Sequence, residues 1–408
     1  MDLNGNVRLK PRQVHRPGVV VAALVMASSA SIMSTDMYVP SLPHLAGYFG
    51  TTPEAVKLTV SLNVIAFGLA QLLFGPLSDR LGRRPVMLTG MIGFCLATVA
   101  CAGAPSIGHL IAARIFQGIT ASVEMVLALA IIHDQFAETE RVRVLAVYGM
   151  VVALAPALAP VFGGYIHVHL GWRANFWLVA AAVVLIIVLL WRVLPRSDVS
   201  STVSLKPLRM LQAYAGLLRE PRFMNYVLML GCCEGLIFAF ITSAPFILIS
   251  IFGVPTQHYG YYQGVVVLAF FTGSLTVRQT VTRTGPERML RIGLVVIGLG
   301  SALIVMPVAM GTARPVLLTA AMAVAAFGMG PVFAIAPMRA MDATRRPSGT
   351  ASAMMSACQM LTGGLASAAV GLLHDGTMRP LAWTVTGLLA IAGWAFGRSV
   401  LANGKAEI

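Results

Sequence analysis

An all-α, polytopic membrane protein with twelve transmembrane helices in two six-helix bundles is the fold class this sequence predicts. Three observations predict it: the composition, the regular recurrence of apolar runs, and one long polar gap halfway along. Of 408 residues, 57% are hydrophobic and only 11% are charged. A soluble domain carries roughly 25% charged residues, and no soluble core hides this much apolar surface.

The first apolar run, 18–39, follows Arg8, Lys10, Arg12 and Arg16 and so mimics a signal peptide, with Ser28-Ser29-Ala30 in the place of a cleavage site. The run continues past Ala30 and more spans follow, so it reads as an uncleaved first helix. Runs at 58–77, 86–104, 109–133, 144–169 and 174–194 complete a first set of six. Runs at 225–252, 259–281, 292–312, 316–340, 350–373 and 381–402 form a second. Each is long enough to cross about 30 Å of hydrocarbon at 1.5 Å per residue. The expected units are therefore an N-terminal bundle at 1–194, a cytoplasmic linker at 195–224 and a C-terminal bundle at 225–408. A faint internal repeat supports the division: Arg80-Leu81-Gly82-Arg83-Arg84-Pro85 returns weakly as Arg283-Thr284-Gly285-Pro286-Glu287-Arg288.

Charge sets the expected orientation. The net charge of +14 invites a nucleic-acid partner, but the basic residues are spread over short loops, so none is expected. One side of the membrane collects Arg8, Arg80, Arg83, Arg84, Arg141, Arg143, Arg196, Lys206, Arg219, Arg283, Arg288, Arg339, Arg346 and Lys405, among others; the other holds only Lys57, Arg173, Arg314 and Arg379. That asymmetry places both termini in the cytoplasm. Cys95, Cys101, Cys232, Cys233 and Cys358 all fall in apolar runs and read as small buried residues, not a disulfide framework. His167 and His169 point in different directions on a helix, so no metal site is expected.

Three carboxylates lie inside runs that belong in lipid: Asp36, Glu124 and Glu234. An ionised carboxylate at the bilayer centre costs several kcal/mol, which makes such residues candidates for function by default. Arg114 enters the fourth run at about the depth at which Asp36 leaves the first, which allows an Asp36–Arg114 pair. Glu124 lies about 15 Å further along its helix and Glu234 about 14 Å into the seventh, so both approach the midplane. Arg114, Gln117, Ala121 and Glu124 share one helical stripe. Burial opposes charge on a carboxylate and a neighbouring arginine favours it; a group balanced between the two can take up and release a proton as its surroundings change. Tyr38, Phe67, Gln117, Phe238, Tyr262, Phe327, Met354 and Met355 are the candidates for an adaptable pocket wall.

The strongest motif is Gly75-Pro76-Leu77-Ser78-Asp79-Arg80-Leu81-Gly82-Arg83-Arg84-Pro85 between the second and third spans. Its glycines permit a tight turn, its arginines hold the loop in the cytoplasm, and Asp79 can dock on a helix N-terminus. It resembles the signature loop of the major facilitator superfamily. Thr35-Asp36-Met37-Tyr38-Val39-Pro40, Arg114-Ile115-Phe116-Gln117-Gly118, Gly171-Trp172-Arg173 and Gly349-Thr350-Ala351-Ser352-Ala353 together resemble the Bcr/CflA group of drug:proton antiporters within it. The fifth span carries an antiporter-like pattern, Pro156, Pro160, Gly163 and Gly164, with Ala155 and Ala159 where that family usually has glycine. Small residues still recur every four positions, so close packing survives.

The resemblance implies a bacterial inner-membrane exporter of small organic molecules or drugs, working by alternating access. Its counterparts of Asp36 and Arg114 belong to the substrate and proton site, and the loop of Gly75, Asp79, Arg80, Gly82, Arg83 and Arg84 serves as a gate. No cofactor is expected beyond protons as the coupling ion. Glu124 and Glu234 match no motif of that family; they are expected to attract cationic groups, lipophilic cations among the substrates, or to share the proton, and a monomer is the expected state. The alternative is a dedicated exporter of one endogenous metabolite, such as a siderophore. An enzyme is not expected, since no metal-ligand helix motif or Gly-x-Ser-x-Gly elbow occurs, and no Walker motif points to ATP.

Overall fold

A computed structural model describes residues 17–195, 207–346 and 348–404. The terminal Arg8, Lys10, Arg12, Arg16 and Lys405, and the linker's Arg196 and Lys206, lie outside the described residues. The described chain is built of helices: α1 (Pro17–Asp36), α2 (Leu42–Phe49), α3 (Pro53–Leu81), α4 (Arg83–Ala102), α5 (Ile107–Gln135), α6 (Glu138–Leu170) and α7 (Trp172–Val193). After the linker come α8 (Pro207–Leu218), α9 (Pro221–Pro245), α10 (Tyr259–Thr284), α11 (Pro286–Met310), α12 (Pro315–Asp342), α13 (Ser348–Leu372) and α14 (Arg379–Gly404). Twelve stretches among the described residues are long and apolar enough to cross a membrane, each over one of the runs read from sequence.

The first crossing is not one helix. α1 stops at Asp36, a 3₁₀ turn covers Val39–Ser41, and α2 resumes at Leu42. Pro40 and Pro43 lack the N–H that a continuous helix would use there. Asp36 thus stands on the last turn of α1, beside irregular backbone.

The linker carries a helix of its own, α8. α8 is too short to span a bilayer, and it lies across the basic end of the molecule. The Tyr214 hydroxyl donates to the Leu72 carbonyl of α3 at 3.2 Å. Gly216 packs under the guanidinium of Arg346, which also pairs with Glu220 at 2.9 Å. The helix is held by partners in both halves rather than by an apolar run of its own.

The weak repeat proves to be a repeat of backbone. Gly82 breaks α3 from α4 at φ 94°, and Gly285 breaks α10 from α11 at φ 76°, a region that favours glycine. Each turn is tied to the far end of a neighbouring helix by an ion pair of opposite sense. Arg83, just after the first glycine, meets Asp134 on α5 at 3.1 Å; Glu287, just after the second, meets Arg339 on α12 at 3.1 Å.

The halves meet mainly towards the arginine-poor face. Ser61 of α3 bonds Ser367 of α13 at 2.8 Å, and the Tyr165 and Tyr261 hydroxyls meet at 2.9 Å. Gly364 lies against Ser61 and Ile65, and Gly260 against the backbone of Pro160 and Val161, each too close for a side chain. The buried Val56, Val60 and Val64 of α3 join the core of the second half, so the seam is a continuous apolar contact. Towards the arginine-rich face a Cβ on Gly75 would meet only Val126 of its own half, and one on Gly349 would meet nothing.

Candidate functional site

A cavity of about 340 Å³ lies between the halves, lined mostly by residues near the middle of their helices. Asp36, Glu124 and Glu234, the three acids singled out from sequence, all line it. α1 ends there with Asp36, α5 presents Ala121 and Glu124 one turn apart, and α9 supplies Glu234 from across the seam. The remaining wall is apolar, with Phe67, Phe238, Phe270, Met329 and Met360 among its members, which suits an organic ligand of ordinary size.

The acids share a second property. None of the three has an ion-pair partner within 4 Å among the described residues. Glu124 is 2% exposed and its Oε2 accepts no hydrogen bond. Asp36 is buried and Glu234 half-buried. Nearby, the Gln263 Oε1 is buried without a partner as well. Unpaired polar atoms in a low-dielectric wall are costly unless a proton, a ligand or both satisfy them.

The structure revises the expected Asp36–Arg114 pair. Arg114 is completely buried and its donors go elsewhere. Nε donates to the Thr59 carbonyl at 3.3 Å, Nη1 to the Ser34 carbonyl at 3.3 Å and to Gln117 Oε1 at 2.5 Å, and Nη2 to Thr35 Oγ1 at 3.2 Å. Its guanidinium also sits 5.2 Å from the centre of the Tyr38 ring. Arg114 reaches Asp36 only through its field, from behind the wall. The reason is geometric: the carbonyls of α1 and α3 supply a better-shaped set of acceptors for a fork of five donors than one carboxylate does.

The same packing removes other pocket candidates. Gln117 is locked between Arg114 and Thr98, to whose hydroxyl it donates at 2.9 Å. Tyr38 is fully buried with its hydroxyl bonded to Thr59 at 2.9 Å. Of the pocket candidates, Phe67 and Phe238 line the cavity; Tyr38, Gln117, Tyr262, Phe327, Met354 and Met355 do not. Phe327 packs its backbone against Gly273, and Met354 is buried in the second-half core. Ser31, Asn63 and Gln263 are lining residues that the sequence reading passed over. Gln263 interrupts an apolar run just as the acids do, so the same reasoning extended to amides would have found it.

The antiporter-like helix α6 works at close range. Pro156 lines the cavity. Gly163 lies directly on the Met37 backbone and Gly164 on that of Thr256 and Gln257, so this helix touches the end of the Asp36 segment and the second half together. The gating-loop residues are remote from the cavity wall. Asp79 pairs with Arg83 at 2.5 Å, and Arg83 also reaches Ser78 and Asp134. Among the described residues the Asp79 carboxylate has Arg83 as its ion-pair partner, and no bond to the first turn of α13. His167 stacks on His44 with ring centres 4.6 Å apart, and no cluster of three or more metal-ligating side chains occurs among the described residues.

Comparisons with known proteins agree with this architecture. A bicyclomycin resistance protein homolog of Haemophilus influenzae is 26% identical over 93% of this chain and 95% of its own length. A chloramphenicol resistance protein of Pseudomonas aeruginosa is 26% identical over 95% of this chain and 92% of its own. The multidrug transporter MdfA of Yersinia pestis is 29% identical over 83% of both chains. Among solved structures, a bacterial homolog of the human lysosomal transporter Spinster, inward-facing and occupied, superposes with a TM-score of 0.69 over 96% of this chain and 97% of that one, at 16% identity, a likeness of fold alone. Twelve apolar crossings and such bacterial relatives make this a multi-pass inner-membrane protein. The profile of the Major Facilitator Superfamily matches residues 24–367, and the chain belongs to that family of transporters, not enzymes.

Proposed function

We propose that this transporter exports small organic molecules, lipophilic cations foremost, in exchange for protons by alternating access, as a monomer with both termini in the cytoplasm. The observation that carries the reading is the set of three cavity acids without ion-pair partners among the described residues, two from one half and one from the other, in a mostly apolar wall. Protons and a cationic substrate compete for such acids, and that competition couples their movements. The drug-resistance names of the relatives support the substrate class. With the orientation given by the Lys and Arg asymmetry, the closed seam faces outward and the cavity is offered to the cytoplasm.

The test is substrate-dependent proton release from purified protein, run over a panel of drugs and of culture metabolites. Proton release triggered by several unrelated cations supports the reading. Release by a single metabolite would instead favour a dedicated exporter, and binding with no release by any compound would remove proton coupling.

A further inference from the structure

A second titratable cluster stands outside the cavity, on the seam at the arginine-poor face. Lys57, on the second turn of α3, is only 2% exposed. Its Nζ lies 2.8 Å from Nδ1 of His374, in the turn after α13, and 4.7 Å from the centre of the Phe246 ring at the end of α9. The His374 ring packs on the same phenyl ring at 5.9 Å. One half contributes the lysine and the other the histidine. A small cavity of about 150 Å³, lined by Lys57, His374, Phe246, Ser243 and Thr377, adjoins the pair.

A nitrogen–nitrogen hydrogen bond has room for one shared proton. The ammonium donates to a neutral imidazole, and if the imidazole is protonated at Nδ1 the acceptor is lost and two cations face each other. The other charges nearby are Glu54, one turn before Lys57, Asp375, next to His374, and Arg379 beyond it. Asp375 is occupied by Thr377, whose N–H and hydroxyl donate to it at 2.8 and 2.6 Å. No carboxylate lies within ion-pairing distance of either Lys57 or His374 among the described residues.

We propose that Lys57 and His374 form a second proton-binding site, separate from the cavity acids, and that binding a proton there parts the two halves at the arginine-poor face. The pair is then a proton-operated latch: one proton holds the seam and a second opens it. Burial, and next the charge of Lys57, hold the imidazole below its ordinary value of 6.5, against the weaker opposing pull of Glu54 and Asp375. A group depressed in the closed state supports that state fully above its ordinary value and loses the support as pH falls towards the depressed one. Acid on the arginine-poor side therefore favours opening on that side. This inference does not rest on the cavity acids carrying the coupling proton.

The test places spin labels at the exposed loop positions Pro105 and Thr312, one on each half, in protein reconstituted in lipid nanodiscs without substrate. The background carries Asp36→Asn, Glu124→Gln and Glu234→Gln, so the cavity no longer titrates. The ratio of separated to closed distances is expected to rise as pH falls from 8 to 5, by at most tenfold per pH unit for one proton. His374→Gln keeps an acceptor for the ammonium but takes no proton, so it should flatten the curve. Lys57→Gln should shrink the response, because a protonated His374 then meets no cation. If the triple background does not fold, the pH curves of the native chain and of His374→Gln are compared directly, and their difference should have the same form. A response unchanged in His374→Gln, or no pH response before that substitution, would overturn the latch. Neither result bears on proton release by substrate, which tests the cavity.

Discussion

Replacing Glu124 with glutamine should weaken binding of a cationic ligand about 10- to 30-fold and leave a neutral ligand of the same shape within about 2-fold. The size follows from the cavity. In a space of about 340 Å³ a ligand's charge cannot be far from the wall. At about 5 Å, with an effective dielectric near 20, a single ion pair is worth about 3 kcal/mol. The ligand gives up hydration on entering, and Asp36 and Glu234 remain to compensate, so about half of that should be lost. The Oε2 of Glu124 has no hydrogen-bond partner to be stranded by the change, and the amide is nearly isosteric. Kd values for a matched cationic and neutral pair, measured on native and Glu124→Gln protein in nanodiscs from pH 6 to 9, make the comparison. The native preference for the cation should shrink as pH falls, and the variant should show less of that dependence. Equal losses for both ligands would refute the electrostatic argument and return Glu124 to folding or proton coupling. No loss for either would remove it from the site.

Other expected outcomes test different links. Asp36→Asn should abolish uphill export in everted vesicles at unchanged protein level; uphill transport at the native rate would remove it from coupling. Gly163→Ala drives a methyl into the Met37 backbone, which cannot swing aside, so a fall of several degrees in the thermal midpoint in detergent and a loss of export are expected; a native midpoint would contradict the close packing. Asp79→Asn removes the carboxylate that now pairs with Arg83 and that would dock on α13 when the basic face closes. Distances across that face should then shift towards the open state, and unmoved distances would dismiss the dock.

The crossings were legible because lipid enforces them: a backbone in hydrocarbon must satisfy itself, and a helix of about twenty apolar residues is the result. The cavity acids were legible for the converse reason, since a carboxylate in such a run is expensive. Depth along each helix also came through, and it put Arg114 level with Asp36. What depth does not give is the direction of the side chain or the backbone it meets. Arg114 turns to the carbonyls of Ser34 and Thr59, groups every residue owns and no sequence advertises. α8 escaped notice because its support comes from Leu72 on one half and Arg346 on the other, contacts that exist only after folding. The Lys57–His374 contact joins residues 317 apart in the chain and was hidden for the same reason.

The two mirrored turns at Gly82 and Gly285 constrain how the halves can be rearranged. Their backbones match, yet the charge beside each glycine and its partner on the next helix are exchanged between the halves. Swapping the two loops would preserve shape and set Glu287 against Asp134, and Arg83 against Arg339. Duplicate architecture thus comes with a private electrical key in each copy. A chimera of the halves should tolerate the graft only when the helix-end residue travels with its loop, and each loop is thereby steered to its own helix during assembly.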